Sequence, residues 1–195
     1  MHCPYCRTLL SETSPECPGC RLNLARASAL LGPVPIVKNR ICDQPRLLDP
    51  AAQNRLLRRM DRFERRFPQV RLQVLCRTFP TEHPFSLYLF WIFNLGRISS
   101  DLEKGGNNRV ILLALDPQSS RSGIMPGYGL EPFLDQNELD ELLASIDEIW
   151  GRHAWDEGFI KLIDGLDSIL EGSIHRLTDI FGHAPRPAET REIGF

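Results

Sequence analysis

Two close pairs of cysteines constrain the start of this 195-residue chain more than any other feature. The pairs read CPYC at 3–6 and CPGC at 17–20, with ten residues between them. Two thiols at this spacing lie on one tight turn and can reach the same ion, so two such turns make a tetrahedral set of sulfur ligands. The pattern predicts a small zinc ribbon. Its predicted ligands are Cys3, Cys6, Cys17 and Cys20.

The alternatives for these four thiols are a disulfide pair, a redox Cys-x-x-Cys motif and a rubredoxin-like iron site. No N-terminal stretch has the order of a signal peptide, and no run reaches the roughly 18 apolar residues that cross a bilayer. We therefore expect the protein to be cytoplasmic, and thiols stay reduced in the cytoplasm. Redox chemistry needs only one Cys-x-x-Cys pair, and this chain has two, so the redox motif is disfavoured. Nothing else in the sequence suggests electron transfer, so zinc is preferred to iron.

The residues around the cysteine pairs predict the role of the ion. Arg7 and Arg21 stand where such turns usually have glycine, so we expect less regular turns. Gly19 lets the second turn close without steric cost. Four thiolates leave no open position for water, so the predicted zinc is structural. The side chains of Tyr5, Arg7 and Arg21 at the turn tips predict an interaction head.

Charge is divided unequally along the chain. Residues 1–78 carry 14 Lys and Arg against 6 Asp and Glu, whereas residues 79–195 carry 9 against 19. Most of the basic excess lies in RLLRRMDRFERRF at 55–67, where apolar residues recur at helical spacing. Its arginines fit a solvated helix face or a nucleic-acid surface. The two phenylalanines of this segment belong to its apolar stripe, so no aromatic side chain lies among the arginines for base stacking. We therefore prefer the solvated face and expect a protein partner.

The rest of the pattern predicts an α/β domain. We expect a helix that begins at Asp49 and Pro50, a strand at 70–76, a helix at 84–96, strands at 109–116 and 122–125, and two acidic amphipathic helices. This order favours a three-layer α/β sandwich with a small mixed sheet, preceded by the zinc ribbon. The predicted division is ribbon and linker 1–34, α/β domain 35–182 and flexible tail 183–195.

Three motifs of the α/β part resemble the TPM domain family. They are ICDQPRLLD at 41–49, GNNRVILLALD at 106–116 and GYGLEPFLD at 127–135. They are similar to that family's opening V-x-D-x-A-G-x-L-S segment, its Asn-Gly before a hydrophobic strand, and its G-x-G-L-E. The chain departs from the pattern at Pro45, Arg46, Arg109 and Pro126. The resemblance spans about 36–170 and implies a three-layer fold.

The family also implies two functions. Some members are acid phosphatases that bind divalent metals through acidic residues in a cleft, and others are assembly or modulatory factors. Loop and strand-end oxygens here make a candidate second site for calcium or magnesium. Arg109 could pair with Asp43 or Asp116 and take the place of the cation. The candidate residues are Asp43, Asp101, Asn107, Asn108 and Asp116. We prefer a binding or regulatory module, with a metal-dependent phosphomonoester hydrolase as the alternative.

Overall fold

A four-stranded mixed sheet and six helices form the fold of the described residues. The structure is a computed structural model that describes residues 2–11, 14–98 and 106–182, of which 106–107 and 177–182 are described by backbone alone. The helices are α1 (Leu24–Leu31), α2 (Pro50–Arg66), α3 (Phe85–Leu95), α4 (Gln136–Ala144), α5 (Asp147–Gly151) and α6 (Trp155–Gly182). The strands are β1 (Ile41–Asp43), β2 (Arg71–Cys76), β3 (Val110–Asp116) and β4 (Arg121–Pro126).

The strands follow the order β1-β2-β3-β4 across the sheet. β1 and β2 are parallel, as are β2 and β3, whereas β4 runs antiparallel to β3. The register places Asp43 beside Cys76 and Cys76 beside Leu115. The predicted small mixed α/β sheet is therefore confirmed, and it includes the predicted strands at 70–76, 109–116 and 122–125. β1 was not predicted.

Alternate side chains of the central strand enter two different apolar clusters. Ile111 and Leu113 of β3 pack with residues of α2 and α6. Leu112 and Ala114 pack with residues of α3 and with the cysteine-containing segment. All seven residues of β3 are buried, which explains its nearly continuous apolar sequence.

The predicted helix after Asp49 is confirmed, because the Asp49 carboxylate accepts a 2.7 Å hydrogen bond from the Ala52 N–H and Pro50 occupies the first turn. The first predicted acidic helix is instead two helices, α4 and α5. The chain turns at Ser145, whose hydroxyl donates to the Leu142 carbonyl at 2.7 Å. The second acidic helix continues through Gly172 as the 28-residue α6.

The cysteine-containing segment packs directly against α3. Cys3 and Cys17 are buried in one apolar cluster with Leu87 of α3. The hydroxyl of Ser86 donates a 2.6 Å hydrogen bond to the Pro4 carbonyl. Contacts therefore cross the predicted boundary near residue 34, although the division itself stays a prediction. The predicted tail at 183–195 lies outside the described residues, and no helix within them combines the length and apolar character that a bilayer crossing needs.

Candidate metal centre

Four sulfur atoms converge at the start of the chain. The Sγ atoms of the four cysteines of the CPYC and CPGC pairs all lie within 4.8 Å of one another. Cys3 and Cys20 are 3.7 Å apart at sulfur, and Cys6 and Cys17 are 3.5 Å apart. Tetrahedral zinc with bonds of about 2.3 Å spaces its sulfurs about 3.8 Å apart. The cluster can therefore hold a metal ion such as zinc, and all four thiols are free of disulfides.

Two turns of matching geometry build this cluster. In the first turn, the Arg7 N–H donates to the Cys3 carbonyl at 3.0 Å and the Cys3 N–H donates to the Thr8 carbonyl at 2.9 Å. The second turn repeats both bonds around Cys17, at 2.7 and 2.9 Å. Each turn thus directs its pair of thiols to the same side. The repetition comes from the shared Cys-Pro-x-Cys-Arg sequence.

The residue after each cysteine pair takes the backbone conformation that favours glycine. Arg7 has φ of 64° and Arg21 has φ of 56°, both in the left-handed region. The turns are regular although arginine costs more there than glycine. Gly19 is required for a different reason from the predicted one. A Cβ atom at Gly19 would lie 2.6 Å from the Thr8 hydroxyl, so glycine allows the two turns to approach closely.

The four thiols differ in environment. Cys3 and Cys17 are buried, Cys20 is half-buried and Cys6 is exposed. Burial raises the pKa of Cys20 to about 12 and also raises the pKa of Cys3. The Thr8 hydroxyl, 3.1 Å from the Cys6 sulfur, lowers the pKa of Cys6 to about 6. A bound cation would favour all four thiolates, because ligation displaces their protons.

The candidate second site divides between the two ends of the sheet. Asp43 ends β1 and Asp116 ends β3, and both lie at the carboxyl edge of the parallel strands. β2 runs between them, so their backbones are about 10 Å apart. Asn108 precedes β3 at the opposite end. Among the described residues, the four cysteines form the one group of three or more His, Cys, Asp or Glu side chains that could share an ion.

Both carboxylates at the carboxyl edge already accept hydrogen bonds. Asp43 accepts from the N–H groups of Leu47 and Leu48, at 3.0 and 2.8 Å. Asp116 is fully buried and accepts from Arg121 at 2.7 Å and from the Phe79 N–H at 3.2 Å. Burial alone would raise the pKa of Asp116. The hydrogen bonds from Arg121 and from backbone N–H groups have the larger, opposite effect, so the pKa is lowered overall.

The remaining candidates do not reach that edge. Asn108 is exposed, and its carbonyl accepts a 3.0 Å hydrogen bond from the Gly129 N–H of the GYGLE motif. Its neighbour Arg109 is exposed at the same end of the sheet. The expected pairing of Arg109 with Asp43 or Asp116 is therefore wrong, because both carboxylates lie at the opposite end of the strands. Asp101 and the side chain of Asn107 lie outside the described residues. A second calcium or magnesium site therefore stays a prediction.

Sequence reasoning missed two residues that complete these sites. Thr8 supplies the hydroxyl beside Cys6, and no pattern distinguishes it in advance. Arg121 pairs with Asp116 directly across β3 and β4. That pair had a signal, because Asp116 and Arg121 flank the turn between two predicted strands and oppositely charged residues often pair across a hairpin.

Comparison with known proteins names no family for the chain. No protein-family model matches it, and no curated protein matches it. Among solved structures, the chain is similar to the solution NMR structure of the N-terminal domain of the cg2496 protein from Corynebacterium glutamicum. The match covers 83% of this chain and 86% of that chain, at 16% identity and a TM-score of 0.48. No functional conclusion follows from a likeness at this level.

Proposed function

We propose that this protein is a binding or regulatory module in which a structural zinc ribbon is attached to a TPM-like, three-layer α/β domain. One observation carries the proposal: four free thiols lie within 4.8 Å of one another on two matching turns. Zinc held by four thiolates has no open position for water, so its role there is to fold the head. The head then presents side chains for a protein partner.

The surface of the head supports this role. Tyr5 is 37% exposed at the tip of the first turn, and Arg7 and Arg21 are exposed beside the two cysteine pairs. The tyrosine ring lies 6.1 Å from the ring of His83, so the tip continues onto the loop before α3. An exposed tyrosine beside arginines is typical of protein interfaces.

The alternative function, a metal-dependent phosphomonoester hydrolase, has one observation in its favour. Asp43 and Asp116 share the edge of the sheet at which open α/β sheets bind ligands. An enzyme of this class needs several free acidic oxygens on one ion. The Asp116 carboxylate is fully buried and paired with Arg121, and both Asp43 oxygens accept backbone hydrogen bonds. The module is therefore the better supported function.

The test compares two exposed tyrosines as sites for a photocrosslinking amino acid in cells. Tyr5 lies on the head, and Tyr128, 50% exposed, lies in the GYGLE motif. We expect one defined protein to crosslink from position 5 and not from position 128, and to be lost in Cys17→Ser. Cys6→Ser serves as a second variant if Cys17→Ser fails to fold. Equal crosslinking from both positions, or none, would contradict the module.

Two measurements on the purified chain complete the test. Elemental analysis should find one zinc per chain in the wild type and less in either cysteine variant. Hydrolysis of a generic phosphomonoester should stay at background with or without calcium or magnesium. Metal-dependent turnover that is abolished by Asp43→Asn would replace the module with the enzyme.

A further inference from the structure

The six arginines of α2 fall into two groups according to their partners. One group pairs with carboxylates of α6, in the contacts Arg55 with Asp156, Arg59 with Asp164 and Asp167, and Arg66 with Asp167 and Glu171. The other group is Arg58, Arg62 and Arg65. These three side chains are exposed and have no ion-pair or hydrogen-bond partner within the described part of the chain. The basic helix is thus only half neutralised.

The three unpaired arginines form one row, which we name the arginine ridge. They lie at positions i, i+4 and i+7 of an unbroken helix, so they share one face over about 10 Å. The turn angle of about 100° per residue places that face away from the buried side chains of Leu56 and Phe63. The ridge therefore points out of the apolar cluster.

The acidic residues of α2 do not neutralise the ridge. Asp61 and Glu64 are the two acids of this helix, and both bind arginines from outside it. Arg40 contacts Asp61 at 2.6 Å and Glu64 at 3.0 Å, and Arg71 contacts Glu64 at 3.0 Å. Like charges three and four residues apart destabilise a helix. Asp61 lies three residues after Arg58 and four before Arg65, the spacing at which opposite charges attract, but its carboxylate is already paired with Arg40, so it offsets the repulsion along the ridge only in part.

We propose that the arginine ridge is a docking surface for an acidic helical segment of a partner protein. The same helix already binds such a segment on its adjacent side, where Arg55, Arg59 and Arg66 meet the carboxylates of α6. The planar guanidinium matches a carboxylate with two parallel hydrogen bonds. A helix with acids at i, i+4 and i+7 would place one carboxylate near each ridge arginine.

A polyanion fits the ridge less well than an acidic helix. The one aromatic residue of α2, Phe63, is fully buried, so no aromatic ring lies among the ridge arginines for a base to stack on. The absence of an exposed ring favours a protein partner over nucleic acid.

The test uses the full chain with zinc bound and two labelled helical peptides. Both are alanine-based, one with glutamates at i, i+4 and i+7 and one with the same glutamates on different faces. Fluorescence anisotropy at about 50 mM NaCl should show tighter binding of the first peptide. The variant Arg58→Gln/Arg62→Gln/Arg65→Gln should bind it about tenfold or more weakly.

A matched control removes three exposed cations elsewhere, in Lys38→Gln/Arg97→Gln/Arg152→Gln. Equal weakening by the control would mean that net charge, and not the ridge, attracts the peptide. Tighter, ridge-dependent binding of a single-stranded oligonucleotide would replace the proposal with nucleic-acid binding, and absence of peptide binding would end it. The ridge variant should melt at or above the wild-type temperature, because repulsion is relieved. A clear loss of stability would show that the arginines have a structural role instead.

Discussion

Replacing Arg59 by glutamine should destabilise the fold through one ion-pair network. The Arg59 side chain is only 11% exposed, and its Nε and Nη2 atoms contact Asp164 at 2.5 Å and Asp167 at 2.9 Å. Exposed ion pairs contribute up to about 1 kcal/mol, whereas breaking a buried pair costs about 3–5 kcal/mol. Arg59 lies between these cases. Its Nη1 atom has no hydrogen-bond partner within the described residues, which reduces the net gain.

We expect Arg59→Gln to lower the free energy of unfolding by about 2 kcal/mol, which corresponds to a fall in Tm of about 4–8 °C for a chain of this size. The matched control is Arg58→Gln, one residue earlier in the same helix, whose side chain is exposed and unpaired within the described residues. It should change stability by less than about 0.5 kcal/mol. Urea unfolding followed by circular dichroism measures both variants.

Salt provides a second check on the same network. Raising NaCl to about 1 M should narrow the difference between wild type and Arg59→Gln, because the exposed part of the network is screened. The less exposed contact with Asp167, itself 14% exposed, should preserve part of the difference. Equal losses in Arg58→Gln and Arg59→Gln would refute the assignment of stability to contacts with α6.

Two further predictions concern the cysteine turns and the buried carboxylate. Arg21→Gly should increase the resistance of the bound metal to a chelator, because a side chain at φ of 56° costs about 1–2 kcal/mol, of which the greater freedom of an unfolded glycine cancels only part, whereas Arg21→Ala should give no gain. Asp116→Asn should lower the free energy of unfolding by about 3 kcal/mol at pH 7, because the Arg121 charge loses its partner. Since the pKa of folded Asp116 is lowered, its stabilisation is complete above about pH 4 and is lost below it. Urea unfolding should therefore show the gap between wild type and variant narrowing as pH falls from about 5 to 2; a constant gap would contradict this.

Local features of the fold were predictable from sequence because they depend on residues close together in the chain. The four cysteines were found from their spacing, since each turn closes over only four residues. The start of α2 followed from the Asp49 cap and Pro50. The buried strand β3 followed from its continuous apolar run. In each case the deciding contacts lie within a few residues of one another.

Long-range charge pairing was not predictable in the same way. The excess of arginine at 55–67 indicated a solvated or nucleic-acid face, but the structure pairs three of these arginines with carboxylates about 100 residues later. The opposite charges of the two parts of the chain are thus partly neutralised inside the molecule. Composition records that imbalance, but only the packing of α2 on α6 determines which charges meet.

The sequence of α3 indicates that another part of the chain must cover it, and that part is the cysteine-containing segment. The segment FSLYLFWIFNL has six buried residues in seven consecutive positions, from Leu87 to Phe93. A helix that is apolar on all sides must be covered on all sides, and a sheet can cover only one. In the structure α3 packs on β4 and also on α1 and the cysteine turns. The cysteine-containing segment and α1 therefore cover the side of α3 that faces away from β4. A metal ion that folds this segment would also keep the apolar residues of α3 shielded from water.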